Sequence, residues 1–85
     1  MTREEIEKAM IRIFEDQFEI EGPGLNDDLR EVHEFDSIDA IELLREIEIL
    51  LKAQLTREEK KVAMDIRTLN QVVDYVEKLE RAHRN

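Results

Sequence analysis

Apolar side chains recur at helical spacing from the start of the chain. After Thr2 they stand three or four positions apart, as one buried face of a helix requires: Ile6, Met10, Ile13 and Phe14. Apolar residues continue to Ile20, and the run Gly22-Pro23-Gly24 that follows is a strong helix stop. The pattern therefore predicts a first helix that begins after Thr2 and continues up to this stop.

Residues 25–35 show no sustained apolar period, so we expect a long loop between the first and second helices. Leu29, Val32 and Phe35 should fold this loop against the helices. A loop of this length is unusual in a small domain, which marks it as functional or as required by the topology.

Three further helices are predicted, from about Ser37 to Lys52, from about Arg57 to Met64, and from Thr68 onward. All four predicted helices start with a polar cap followed three positions later by an acid or amide: Thr2 with Glu5, Asp36 with Asp39, Thr56 with Glu59, and Thr68 with Gln71. The Asp36 pair is the least standard, since aspartate is weaker than glutamate at the third position. The last helix should bury one apolar face and fray over residues 81–85; its buried residues are Leu69, Val72, Val73, Val76 and Leu79.

The predicted fold is all-α, a small four-helix bundle of three longer helices and a short third one, with a long loop between helices 1 and 2. Residues 1–85 should form a single domain, because so short a chain has material for one core only.

The second predicted helix has an unusual distribution of side chains. At about 100° per residue, one face is polar: Asp39, Glu42, Arg45, Glu46, Glu48 and Lys52. The apolar residues that cover the rest make this the helix expected to be most deeply packed: Ala40, Ile41, Leu43, Leu44, Ile47, Leu50 and Leu51. Ile38 and Ile49 fall on the polar side, and Ile38 directly follows Ser37 among carboxylates. Ile38 is therefore a candidate apolar docking spot with charged edges.

Charge narrows the classes of partner. The chain has 22 acidic and 13 basic residues, a formal net charge of −9. Such a field repels nucleic acid and anionic membranes and attracts proteins with basic patches. No apolar run approaches the roughly 20 residues of a membrane span, and the charged start does not resemble a signal peptide. We expect a cytoplasmic monomer that binds neither nucleic acid nor membrane.

Candidate chemistry is sparse, and no intrinsic enzyme activity is expected. The chain has no cysteine, which excludes disulfides, thiolate metal ligands and cysteine nucleophiles. Glu80 and His83 have the Glu-x-x-His spacing of a di-metal bundle, but such a site needs a second copy, so no metal is expected. A pairing of Ser37 with His33 is conceivable, but no G-x-S-x-G motif accompanies it.

Ser37 is the one serine in the chain, and it follows Asp36 at the start of the second predicted helix. On spacing alone, Asp36 caps the helix and Ser37 is an ordinary first-turn residue. A hydroxyl at a helix start is nonetheless accessible. A phosphodiester attached there would meet unpaired backbone N–H groups and the positive end of the helix dipole, which oppose its repulsion from Asp36 and Asp39.

The residues from Asp36 to Leu43, Asp-Ser-Ile-Asp-Ala-Ile-Glu-Leu, resemble the Asp-Ser-Leu motif and following helix of acyl carrier proteins. Thr68-Leu69 and residues 73–76 are similar to that family's last helix. The resemblance covers nearly the whole chain. It implies that Ser37 receives 4′-phosphopantetheine from coenzyme A through a separate phosphopantetheinyl transferase, and that the terminal thiol carries acyl groups as thioesters between acyl-transferring or condensing enzymes.

The resemblance also implies roles for single residues. Asp36 would assist recognition by the transferase. Asp39, Glu42 and Glu48 would meet basic patches on partner enzymes, with Ile38 as the apolar contact. The space between the helices would shelter the acyl chain. An aminoacyl or D-alanyl carrier would use the same arm, and an acidic helical adaptor without an arm is the alternative of a different class.

Four departures from the family pattern suggest a specialised carrier. Glu34-Phe35 stands where the family commonly has glycine before the Asp-Ser pair. Arg45 occupies a partner-facing position that is often apolar, and a positive charge there should change the choice of partner. Ile49 replaces a usual acid, and the segment from Thr56 to Ile66 is about three residues longer than the common pattern, nearly one helical turn.

Overall fold

A computed structural model describes residues 1–83. It contains five α-helices in this order: α1 (Arg3–Phe18), α2 (Leu29–His33), α3 (Ser37–Leu51), α4 (Arg57–Ala63) and α5 (Leu69–Ala82). No strand occurs in the described part of the chain. The predicted all-α helical bundle is confirmed, with one short helix more than the pattern indicated. Arg84 and Asn85, for which fraying was predicted, lie outside the described residues.

The predicted helix caps are all present as reciprocal pairs. In each, the cap side chain accepts the N–H of the third helical residue, whose own side chain accepts the N–H of the cap. The least standard pair forms as well. Asp39 N–H donates to Asp36 Oδ1 at 3.0 Å, and Asp36 N–H donates to Asp39 Oδ2 at 3.0 Å.

The prediction that the first helix continues up to Gly22 is wrong. α1 ends at Phe18, because Glu19 adopts the left-handed conformation with φ of 55°. The N–H groups of Glu19 and Ile20 both donate to the Phe14 carbonyl, a helix ending of the kind that returns the chain onto the helix. After this turn Ile20 is buried in the core.

The predicted loop of residues 25–35 contains α2, which the apolar pattern did not indicate. Asp28 caps it by accepting the N–H groups of Arg30 and Glu31 at 2.9 and 3.1 Å. Leu29 and Phe35 are buried, as expected for residues that fold this segment against the bundle, but Val32 is 59% exposed and that part of the prediction is wrong. Backbone hydrogen bonds fix the segment further: Leu29 N–H donates to Arg67 O at 2.8 Å.

The core lies chiefly between α1 and α5. The predicted apolar face of α5 is buried, and Tyr75 joins it. Three phenylalanines, Phe14, Phe18 and Phe35, pack with ring centroids 5.3–5.5 Å apart and join α1 to the segment before α3. α3 buries fewer side chains than α5, so the expectation that α3 is the most deeply packed helix is wrong.

α4 buries none of its side chains completely. Ala63 packs against the core, and two polar contacts add to this attachment. The Tyr75 hydroxyl donates to Glu59 O at 2.6 Å, and His83 Nε2 lies 3.0 Å from Glu59 Oε2. The hydrogen bond from Thr56 N–H, together with His83, lowers the pKa of the Glu59 carboxyl. His83 therefore joins α5 to α4, and the prediction that it belongs to a frayed end is wrong.

Tyr75 gives a test of this packing, because it is the one tyrosine and the chain has no tryptophan. Burial, with the Glu59 and Glu48 carboxylates nearby, raises the pKa of Tyr75 from 10.0 to about 12. We expect the ultraviolet absorbance of tyrosinate to rise around pH 12 in the folded protein and around pH 10 in denaturant. The neutral phenol contributes stability below pH 10 that is lost as pH rises toward 12. A midpoint near 10 before unfolding would contradict the buried hydroxyl.

Candidate functional site

Ser37 is the first residue of α3 and is exposed. Asp36 supplies the cap through its bond to Asp39 N–H, so the serine hydroxyl is not needed for capping. Among residues 1–83 that hydroxyl has no hydrogen-bond partner. The predicted attachment point is therefore a free, solvent-facing hydroxyl on a helix start that other residues hold in place.

The backbone before Ser37 contains a left-handed residue that is not glycine. Glu34 ends α2 in the left-handed conformation with φ of 55° and ψ of 31°. The Phe35 N–H then donates to Leu29 O at 3.0 Å, and the buried Phe35 side chain anchors the turn. Although no glycine stands before the Asp-Ser pair, Glu34 adopts the conformation that glycine would adopt most easily.

A small cavity lies next to this helix start, between α3, α4 and α5. Its volume is about 20 Å³, room for about one water molecule, which needs roughly 10–15 Å³ on the same measure. Arg30 and Asp36 supply its charged lining, and the remaining lining is mostly apolar: Phe35, Ala40, Leu43, Leu44, Ile47, Ala63, Ile66 and Tyr75. Because Asp36 lines the cavity and precedes Ser37, the cavity lies next to the predicted attachment point.

Arg30 closes one side of this cavity. Its Nη2 donates to Met64 O at 3.0 Å, which joins α2 to the residue that follows α4. Sequence reasoning missed Arg30 because its role depends on α2, and the signal for α2 was available: Asp28 is followed three positions later by Glu31, the same spacing as in the recognised caps.

The predicted partner-binding residues share the exposed side of α3, with two qualifications. Ile38, Glu42 and Arg45 are exposed. Asp39 is half-buried in its reciprocal bond with Asp36. Glu48 is also half-buried, and its Oε2 accepts the Leu55 N–H at 2.8 Å, which fixes the loop after α3.

Two more isoleucines lie on that side of α3. Ile49 is 65% exposed, as its position on the polar face indicated, and Ile41 is 61% exposed. The prediction that Ile41 helps to cover the packed face is therefore wrong. Its spacing from Ile38 and Arg45, three and four positions, was the signal that it belongs on their face.

The histidines pair with carboxylates away from Ser37. His33 Nε2 lies 3.4 Å from Asp27 Oδ2, so the conceivable pairing with Ser37 does not occur. The residues that the structure describes contain no group of three side chains that could hold a metal ion. In the same residues, no helix is long and apolar enough to cross a membrane.

Comparison with known proteins assigns the family. The profile of the family described as "Phosphopantetheine attachment site" matches residues 8–76, from the first half of α1 to the middle of α5, with Ser37 inside the match. No curated protein and no solved structure matches the chain. The match spans well over half of the 85 residues. The chain therefore belongs to the phosphopantetheine attachment-site family, whose domain carries a covalent 4′-phosphopantetheine group.

Proposed function

We propose that the chain is an acyl carrier protein that holds acyl groups as thioesters on 4′-phosphopantetheine attached to Ser37. It passes them between enzymes of fatty-acid, polyketide or lipid-related biosynthesis and has no catalytic activity of its own. The observation that supports this most directly is the family match over residues 8–76 around a chain whose one serine stands exposed at a helix start.

The groups around Ser37 fit a phosphodiester. Asp39 N–H is engaged by Asp36, which leaves the N–H groups of Ser37 and Ile38 at the positive end of a 15-residue helix. The arm, when attached, supplies a thiol that forms the thioester. The chain itself supplies the hydroxyl, holds it in the first turn of α3 and keeps it open to the transferase.

The apolar cavity beside Asp36 supports an acyl cargo. Its lining is aliphatic and aromatic apart from Arg30 and Asp36, and the Tyr75 hydroxyl is turned to Glu59 O. At about 20 Å³ it is much smaller than an acyl chain. We infer that loading widens the gap between α3 and α4 and strains or breaks the Arg30 bond to Met64. An aminoacyl cargo would not need this space.

The acidic surface supports short-lived docking to enzymes with basic patches. With a net charge of −9, attraction speeds association while small contact areas permit release. Asp39, Glu42 and Glu48 would provide the acidic contacts and Ile38 the apolar one, with Arg45 setting the choice of partner. We propose that residues 1–85 act as one carrier domain, as a cytoplasmic monomer.

Intact-mass analysis tests the attachment. After incubation with coenzyme A and a broad-specificity phosphopantetheinyl transferase, the native chain should gain the mass of one phosphopantetheine group. Ser37→Ala should gain nothing, while Thr68→Ser, which adds a serine at another helix start, should gain one group as the native chain does. An unchanged mass with several transferases, or a gain in Ser37→Ala, would overturn the proposal.

A second experiment separates the two roles of Asp36. Asp36→Asn keeps an effective cap, whereas Asp36→Ala should lower the free energy of unfolding by about 1 kcal/mol. If the charge of Asp36 is recognised by the transferase, kcat/KM for modification should fall about tenfold or more in both variants, since a hydrogen bond to a charged group contributes about 1.5–3 kcal/mol. Native kcat/KM in Asp36→Asn would assign Asp36 to capping alone.

A further inference from the structure

The exposed side of α3 carries an apolar stripe interrupted by one cation. Ile38, Ile41 and Ile49, here called the isoleucine stripe, are 67%, 61% and 65% exposed. With Arg45 they occupy positions three, four and four residues apart, which places all four side chains on one helix face within an arc of about 80°. The stripe extends about 16 Å along the helix axis.

Arg45 stands in the stripe rather than at its edge. It shares a shallow depression with Gln17, Glu42 and Glu46, yet within residues 1–83 its guanidinium forms no salt bridge. Glu42 and Glu46 lie along one edge of the same face, and Glu48, whose Oε2 accepts the Leu55 N–H, lies beyond Ile41 at the other edge. This surface therefore consists of an apolar stripe with a positive charge at its centre, Arg45, and negative charges at its margin, Glu42 and Glu46.

A second copy of the chain is a poor occupant for this surface. Each copy has a net charge of −9, and the stripe offers on the order of a few hundred Å², well below the roughly 800 Å² per partner of a stable interface. A patch of that size suits a brief encounter with a different protein. The positions of Arg45, Glu42 and Glu46 indicate which charges that protein's contact surface should carry.

We propose that α3 docks on partner proteins whose contact surface is an apolar strip with a carboxylate at its centre and basic side chains along one edge. The carboxylate faces Arg45, whose planar guanidinium can bind it through two hydrogen bonds. The basic groups face Glu42 and Glu46. A partner with a uniformly basic surface is disfavoured because it places a cation against Arg45. This inference rests on the proposed carrier function and defines the class of enzyme served.

Two synthetic helical peptides test the charge order. They share a leucine face and lysines along one edge, and they differ at one central position of that face, which is Glu in one and Lys in the other. Amide chemical shifts of the isotope-labelled, unmodified chain report binding. The net charge of −9 by itself favours the Lys peptide. We expect the Glu peptide to bind more tightly, by roughly fivefold, because its central carboxylate meets the positive charge of Arg45.

Variants complete the test. Arg45→Glu should invert the preference, and Arg45→Met, which keeps an unbranched side chain without charge, should lose the preference for the Glu peptide. Lys8→Glu makes the same charge change at an exposed position of α1 and should keep the native preference. Circular dichroism checks that each variant remains helical.

Three outcomes would overturn the inference: equal binding of both peptides, shifts centred outside α3, or an unchanged preference in both Arg45 variants. Sedimentation of the chain alone tests whether a second copy occupies the stripe. Self-association that is abolished by Arg45→Glu would assign the stripe to a second copy and would also overturn the inference. The peptide assay uses the unmodified chain, so its failure is distinct from a failure of Ser37 to accept phosphopantetheine.

Discussion

The reciprocal hydrogen bonds between Asp36 and Asp39 hold the first turn of α3, and the properties of the site follow from them. Because Asp36 caps the helix, the Ser37 hydroxyl has no structural task and faces solvent. The same two carboxylates place negative charge at the positive end of the helix, where the dipole stabilises it. One local pair therefore determines where α3 begins, leaves the Ser37 hydroxyl without a hydrogen-bond partner among residues 1–83, and places two carboxylates beside it.

Two of the helices that line the cavity, α3 and α4, differ in how firmly they are packed. α3 contributes four buried side chains to the core, whereas α4 has none, packs there through the partly buried Ala63, and is linked to other elements by Tyr75, His83 and the Arg30 bond to Met64. Elements with few buried apolar contacts open at a lower free energy than the core. If the cavity takes a larger occupant, we therefore expect α4 to move more easily than α3, whose packing holds Ser37 and the isoleucine stripe in place.

Local signals made α1, α3, α4 and α5, their starts and the position of Ser37 behind the Asp36 cap predictable from the sequence, because caps and apolar periods act within a few residues. The remaining features depend on contacts between distant residues. Glu19 has no intrinsic preference for the left-handed conformation that ends α1, and His83 is ordered by Glu59, 24 positions away. Ile41 is a different case, because its spacing from Ile38 and Arg45 already places it on their exposed face of α3.

Glu34 introduces backbone strain close to Ser37. A residue other than glycine in the left-handed conformation costs of order 1–3 kcal/mol, a substantial amount for a domain of 85 residues. Tertiary contacts at Leu29 and Phe35 compel the conformation, so the turn is strained but not loose. The chain thus has a carboxylate three residues before Ser37 at a conformational cost, and contacts with the core, rather than the sequence of the turn itself, fix the conformation of the turn.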